Sequence, residues 1–117
     1  MARQMIVVQG SDDVLQALTD AVEAALPAIR AATEEETEEV AADMRSSAPV
    51  DQGDLRDSIE TDVVDTDGRV SVGADHRWFV EAGTSSAPAQ PYALPAAERS
   101  RGRFPDRVEK AIKGTLP

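Results

Sequence analysis

His76, flanked by Asp75 and Arg77, is the only histidine of the chain and its first candidate for chemistry. A general base or a metal ligand needs partners that these neighbours do not supply by proximity alone, so a loop or packing role is expected. Asp51, Asp54 and Asp57 recur at a spacing of three, which hints at calcium. The order of an EF-hand loop, with its central glycine and distal glutamate, is missing, and turn capping explains the three carboxylates better. No serine falls in a G-x-S-x-G nucleophile elbow, and the isolated Gly73 and Gly83 make neither a phosphate loop nor a dinucleotide fingerprint. With no cysteine there is no thiolate chemistry, no disulfide framework and no Cys-ligated metal. A small hydrolase would rest on scattered Asp and Glu residues and His76 alone. The expectation is a protein without catalytic, cofactor or metal residues.

The more specific residues are those that shape the backbone. In residues 48–59, Pro49 lacks an N–H and disfavours a helical residue before it, so it ends the preceding helix. Asp51 suits an Asx-type turn, Gly53 a positive φ, and Asp54 the N-cap of a short turn over residues 55–58. Together they predict a rigid corner joining a helix to a strand. Downstream come the aromatic pair Trp78-Phe79, then Val80-Glu81-Ala82-Gly83-Thr84, then the proline-spaced segment that contains Pro91 and Tyr92. Glu81 is expected to anchor Gly83 and Thr84 by hydrogen bonding at a strand end.

These three ordered motifs resemble a family of small head-tail connector proteins of long-tailed double-stranded DNA phages, described variously as neck, tail-completion and tail-component proteins. The family shows an "APVDTGxLRxSI" corner, a "VEFGT" strand end and a "PAxPFLxPA" segment. They correspond here to residues 48–59, 80–84 and 88–97, within a resemblance that spans about residues 38–100. Gln52 replaces the usual Thr, Ala82 an aromatic, and Tyr92-Ala93 the Phe-Leu pair. The first loosens a hydroxyl-capped turn and the others shrink or polarise a packing site. What the resemblance implies is a structural virion protein forming a homo-oligomeric ring at the head-tail junction. Such a ring joins the head connector to the tail and lines the DNA path, assembles in the host cytoplasm and resides in the neck or tail of the virion.

Composition is compatible with this. The 117 residues fit a single domain, 1–117, and although 41% are hydrophobic, much of that is alanine and only 3% are aromatic. A core so thin gains from binding copies of itself or neighbouring proteins. The net charge of −10 is unevenly distributed. Residues 11–43 carry Asp12, Asp13, Asp20, Glu23, Glu34, Glu35, Glu36, Glu38, Glu39 and Asp43 against Arg30 alone. Residues 98–113 reverse the balance with Arg99, Arg101, Arg103, Arg107, Lys110 and Lys113. Acidity removes the counterion-release term that drives nucleic-acid affinity, so DNA is expected to pass without specific binding. Opposite signs at opposite ends suit head-to-tail contact between copies, unless both runs are ordinary solvated faces. Residues 1–10 are too short and mixed for a signal peptide or a membrane span.

Along the chain, Met5-Ile6-Val7-Val8-Gln9 is a β-branched run expected to form a strand. Leu15, Leu18, Val22 and Leu26 have helical spacing, with Ser11 as N-cap, and Pro27 either starts a second helix or kinks a continuous one. The stripe continues through Ile29, Thr33, Thr37, Val40 and Met44 to about Ser46, with its middle expected to be mostly solvated. A hairpin follows over residues 59–73, its turn placed at Asp65-Thr66-Asp67-Gly68, and a third strand is expected around residues 78–81. An Ala-rich helix broken at Gly102 and a last helix started by Pro105 complete the pattern. The fold expected is α+β, a small antiparallel sheet packed against long helices.

Two surfaces follow as candidates. Trp78, Phe79, Glu81, Gly83, Thr84, Pro91 and Tyr92 form a candidate interface, with aromatics as anchors. Glu34, Glu35, Glu36, Glu38 and Glu39 form a candidate lumenal face that repels DNA phosphates. The alternative function is an acidic cellular protein-protein interaction module, which leaves the three ordered motifs unexplained.

Overall fold

Apolar residues at alternating spacings of three and four from Leu15 to Met44 demand one long helix, and Ser11–Ser47 is a single helix, α1. At 1.5 Å per residue its 37 residues extend about 55 Å. The structure is a computed structural model and describes residues 4–49, 53–73, 81–83, 89 and 91–116. After α1 come the short helix α2 (Gly53–Asp57), strands β1 (Ile59–Val64) and β2 (Asp67–Val72), and helix α3 (Ala93–Lys113). The architecture is α+β in one domain. A two-stranded antiparallel hairpin and α3 both pack on the C-terminal part of α1.

Pro27 lies inside α1 without ending it. Its missing N–H removes the bond to the Glu23 carbonyl, but the ring occupies an exposed position where the loss is met by solvent. The helix starts one residue earlier than its serine suggested. Gly10 is the cap, in the left-handed region at φ 97°, and its carbonyl accepts the Val14 N–H at 3.0 Å. Residues 4–10 are not a strand: Ile6 and Val8 are each 91% exposed, and no described sheet edge pairs with them. A β-branched run has strand propensity but needs an edge to bond to.

The corner after α1 also differs in detail. Val50, Asp51 and Gln52 lie outside the described residues. Gly53 begins α2, and Asp54 stands in the first turn rather than before it. Leu55 then enters the core with no exposure at all. It packs with Ala41, Met44, Ala48, Ile59, Tyr92 and Ala96, so the core sits where α1, α2, β1 and the start of α3 converge.

Strand β1 pairs with β2 from Ile59 opposite Val72 to Val64 opposite Asp67. The loop is therefore Asp65-Thr66, with Asp65 at φ 54°, and Asp67-Gly68 belongs to the strand. Gly68 is needed for proximity rather than for a turn. A Cβ there would lie 1.9 Å from the Thr37 hydroxyl oxygen and 3.2 Å from the Thr33 methyl. Thr33 and Thr37 are buried, contrary to a solvated middle of α1, because their small side chains let the hairpin backbone approach. Each hydroxyl also bonds the helix carbonyl four residues back, at 2.9 and 2.7 Å, which fixes its rotamer.

Helix α3 is continuous through Gly102 and Pro105, not two helices. Pro105 deletes one bond, to the Arg101 carbonyl, but side chains on both sides of it are tied to α1, as described below. Gly68→Ala is expected to lower unfolding free energy by about 1–3 kcal/mol through overpacking. Thr37→Ala should recover part of that loss in the double variant, and urea denaturation of the four-protein cycle measures the coupling.

Candidate functional site

The acidic and basic runs meet inside one chain. Helix α3 lies antiparallel to α1, and arginines spaced by four face carboxylates spaced by three and four. Arg99 holds Asp43 through two bonds of 2.7 Å. Arg103 Nε donates to both oxygens of Glu36 at 3.0 Å, while its Nη1 lies 3.2 Å from Glu39. Arg107 bonds Glu39 and stands 3.7 Å from Glu36 and 3.8 Å from Glu35. Glu36 is only 4% exposed and accepts a further bond from the Ser100 hydroxyl at 3.0 Å. A buried carboxylate with this many donors is a structural keystone, because removing them leaves a charge stranded away from water. Part of the segregated charge therefore serves the packing of α3 on α1 within one chain. Sequence analysis overlooked this seam, although the matching periods of Arg99, Arg103, Arg107 and Glu36, Glu39, Asp43 could have revealed it.

The five glutamates proposed for a lumen do not share a face. Glu36 and Glu39 turn to α3, and Glu38 accepts the Thr61 hydroxyl at 2.7 Å. Glu34 pairs with Arg30 at 3.2 Å. Glu34, Glu35 and Glu38 remain exposed.

Glu81 has a different partner from the one expected. It is helical, not the end of a strand, and its carboxylate accepts the backbone N–H groups of Tyr92, Ala93 and Leu94 at 2.7, 3.0 and 2.8 Å. Those are the free donors at the start of α3, and the next residue, Pro95, has none to offer. A side chain eleven residues upstream thus caps the helix and sets its negative charge against the positive end of the helix dipole. Gly83, at φ 78°, makes this return possible: a Cβ there would sit 2.7 Å from the Ala89 nitrogen. Tyr92 is 2% exposed and belongs to the core rather than to an interface, while Pro91 is exposed and Pro49 half-buried. Trp78, Phe79 and Thr84 lie outside the described residues, as do His76 and the rest of the expected third strand.

A surface not anticipated as a site is the N-terminal half of α1. Val14, Leu15, Leu18, Val22 and Leu26 are between 47% and 61% exposed. These side chains are left largely uncovered, so residues 4–24 project as an arm. The radius of gyration is 22.8 Å, against about 13 Å for a compact chain of 100 residues. Beside the arm's base, a groove of about 570 Å³ opens between the hairpin and α3, floored by Val40 and Val70 and walled by Ala97 and Phe104.

Against this geometry, residues 12–83 match the model of a family described as "Bacteriophage HK97-gp10, putative tail-component". That span is most of the chain, and the protein belongs to this family of bacteriophage tail components. It is accordingly a virion protein that acts with other phage structural proteins. No curated protein and no solved structure matches the chain. No helix among the described residues is long and apolar enough to cross a membrane.

Two carboxyls of these contacts titrate low. The Arg99 hydrogen bonds hold Asp43 below its ordinary value against a smaller opposing effect of burial. Burial raises Glu81, but three backbone donors together outweigh it and leave it lowered. Groups with depressed folded values stabilise fully above their ordinary pKa, near 3.8 and 4.5, and lose that contribution as pH falls through the folded values. Glu81→Ala should cost about 1 kcal/mol at neutral pH, as loss of a helix cap does. The difference from wild type should shrink in acid below pH 4.5, as followed by urea denaturation across pH.

Proposed function

We propose that the chain is a non-catalytic joining part of the phage neck: copies assemble into a ring at the head-tail junction, couple the head connector to the tail, and surround the path of the DNA. The observation that carries this is membership of a tail-component family by a chain whose longest helix leaves an apolar stripe uncovered. Large exposed apolar surface on a small domain marks a protein contact, and repeated copies are the simplest source of one. Assembly precedes virion maturation in the host cytoplasm, and the protein then stays in the neck or tail region.

The exposed surface of α1 carries Asp13, Asp20, Glu23 and Glu34 on one flank of the helix. A wall of this sign repels phosphates over about 10 Å at 0.1 M salt, so a genome slides past without adhering. No reacting group is needed for this role, and His76→Ala should leave it intact.

Phage carrying a disrupted copy of this gene is expected to accumulate filled heads and free tails that fail to join, as counted by electron microscopy of lysates. Particles that join and infect normally without the protein would refute the joining role.

A further inference from the structure

The exposed stripe of the arm is not a separate feature of α1. Leu15, Leu18, Val22, Leu26 and Ile29 continue, at the same spacings of three and four, into Thr33, Thr37, Val40 and Met44. In the second set the helix face is covered by the hairpin and the core; in the first it is bare from Leu15 to Leu26 and half-covered at Ile29. The groove between the hairpin and α3 opens on this same face, at Thr33, Thr37 and Val40. One helical track therefore carries an unpartnered apolar ridge at one end and an apolar recess at the other.

We infer that the arm of one copy docks by its Leu15-Leu18-Val22-Leu26 ridge into the groove of a second copy, against Val40, Val70, Ala97 and Phe104. Charge selects this occupant. Asp12 and Glu23 lie on one flank of the ridge and alanines 17, 21 and 25 on the other, and residues 11–29 hold no cation. Pairing two arms with each other brings these carboxylates together. The groove instead presents Arg101 at its rim, exposed and without an ion pair among the described residues. Acidic arm and basic rim attract, which sets orientation as well as contact. The inference rests on the proposed ring only for the identity of the partner as another copy of this chain.

The absence of cysteine from the 117 residues makes the contact directly testable in the whole chain. Leu18→Cys and Ala97→Cys alter exposed positions on the ridge and the groove wall, so neither variant disturbs the core. Mixed and mildly oxidised, the two should give a disulfide-linked heterodimer at least several-fold faster than either forms a homodimer. Arg101→Glu should slow that cross-link, and sedimentation velocity should show weaker self-association for Leu18→Asp at an unchanged melting temperature. Preferential Leu18→Cys homodimers would mean arm-to-arm pairing and overturn the inference, as would a cross-linking rate in the mixture no greater than for either variant alone. Self-association through the groove in a protein dispensable for head-tail joining would overturn the proposed function and leave this contact standing.

Discussion

The described structure depends on the antiparallel seam between α1 and α3, and the seam on Glu36. Its carboxylate is nearly removed from water and survives there because Arg103 grips both oxygens while Ser100 adds a third donor. A buried pair of this kind contributes little net stability compared with an apolar pair of equal shape, yet losing one partner is costly. It therefore defines which register of the two helices is allowed more than it strengthens their packing. Arg99 extends the seam to Asp43, and Arg107 closes it around Glu35, Glu36 and Glu39.

That register explains two local anomalies. Helix α3 contains both a glycine and a proline near its middle, each of which weakens a helix in isolation. Arg99 on one side and Arg103 and Arg107 on the other are bound to a single straight helix, and this template keeps the segment in line. The beginning of α3 is secured from elsewhere, by Glu81, because its own sequence supplies no capping side chain. Acid and base thus act here as alignment devices between helices and at a helix end.

The sheet illustrates the opposite strategy, in which missing side chains make the contact. Gly68 lets the hairpin backbone lie against Thr33 and Thr37, so the thinnest part of the apolar stripe is also where two elements come closest. With few aromatics, the chain builds its core from alanines around Met44, Ile59, Tyr92 and one fully buried leucine, Leu55. Such a core covers only part of α1. The remaining ridge is left for another molecule, a division consistent with a protein that works in an assembly.

Much of this was legible in residue order. Apolar periodicity defined α1, alternation around Asp65 and Thr66 defined the hairpin, and the ordered motifs at residues 48–59 and 80–84 pointed to the family that residues 12–83 match. These signals are local, since each depends on residues within a turn or two of one another. The rest depended on which distant elements meet. Gly68 reads as a turn glycine until Thr37 is placed beneath it, and Tyr92 as an interface anchor until Leu55 and Ala96 surround it. Glu36 looks like its acidic neighbours, and only the position of α3 makes it a buried partner while Glu34 and Glu35 stay in water. The residues at 5–9 have the composition of a strand, but a strand exists only where an edge receives its hydrogen bonds. Sequence alone determined α1, the hairpin and the kinship; tertiary structure decided which charges and small side chains face one another, because burial and pairing are properties of two surfaces, not of one.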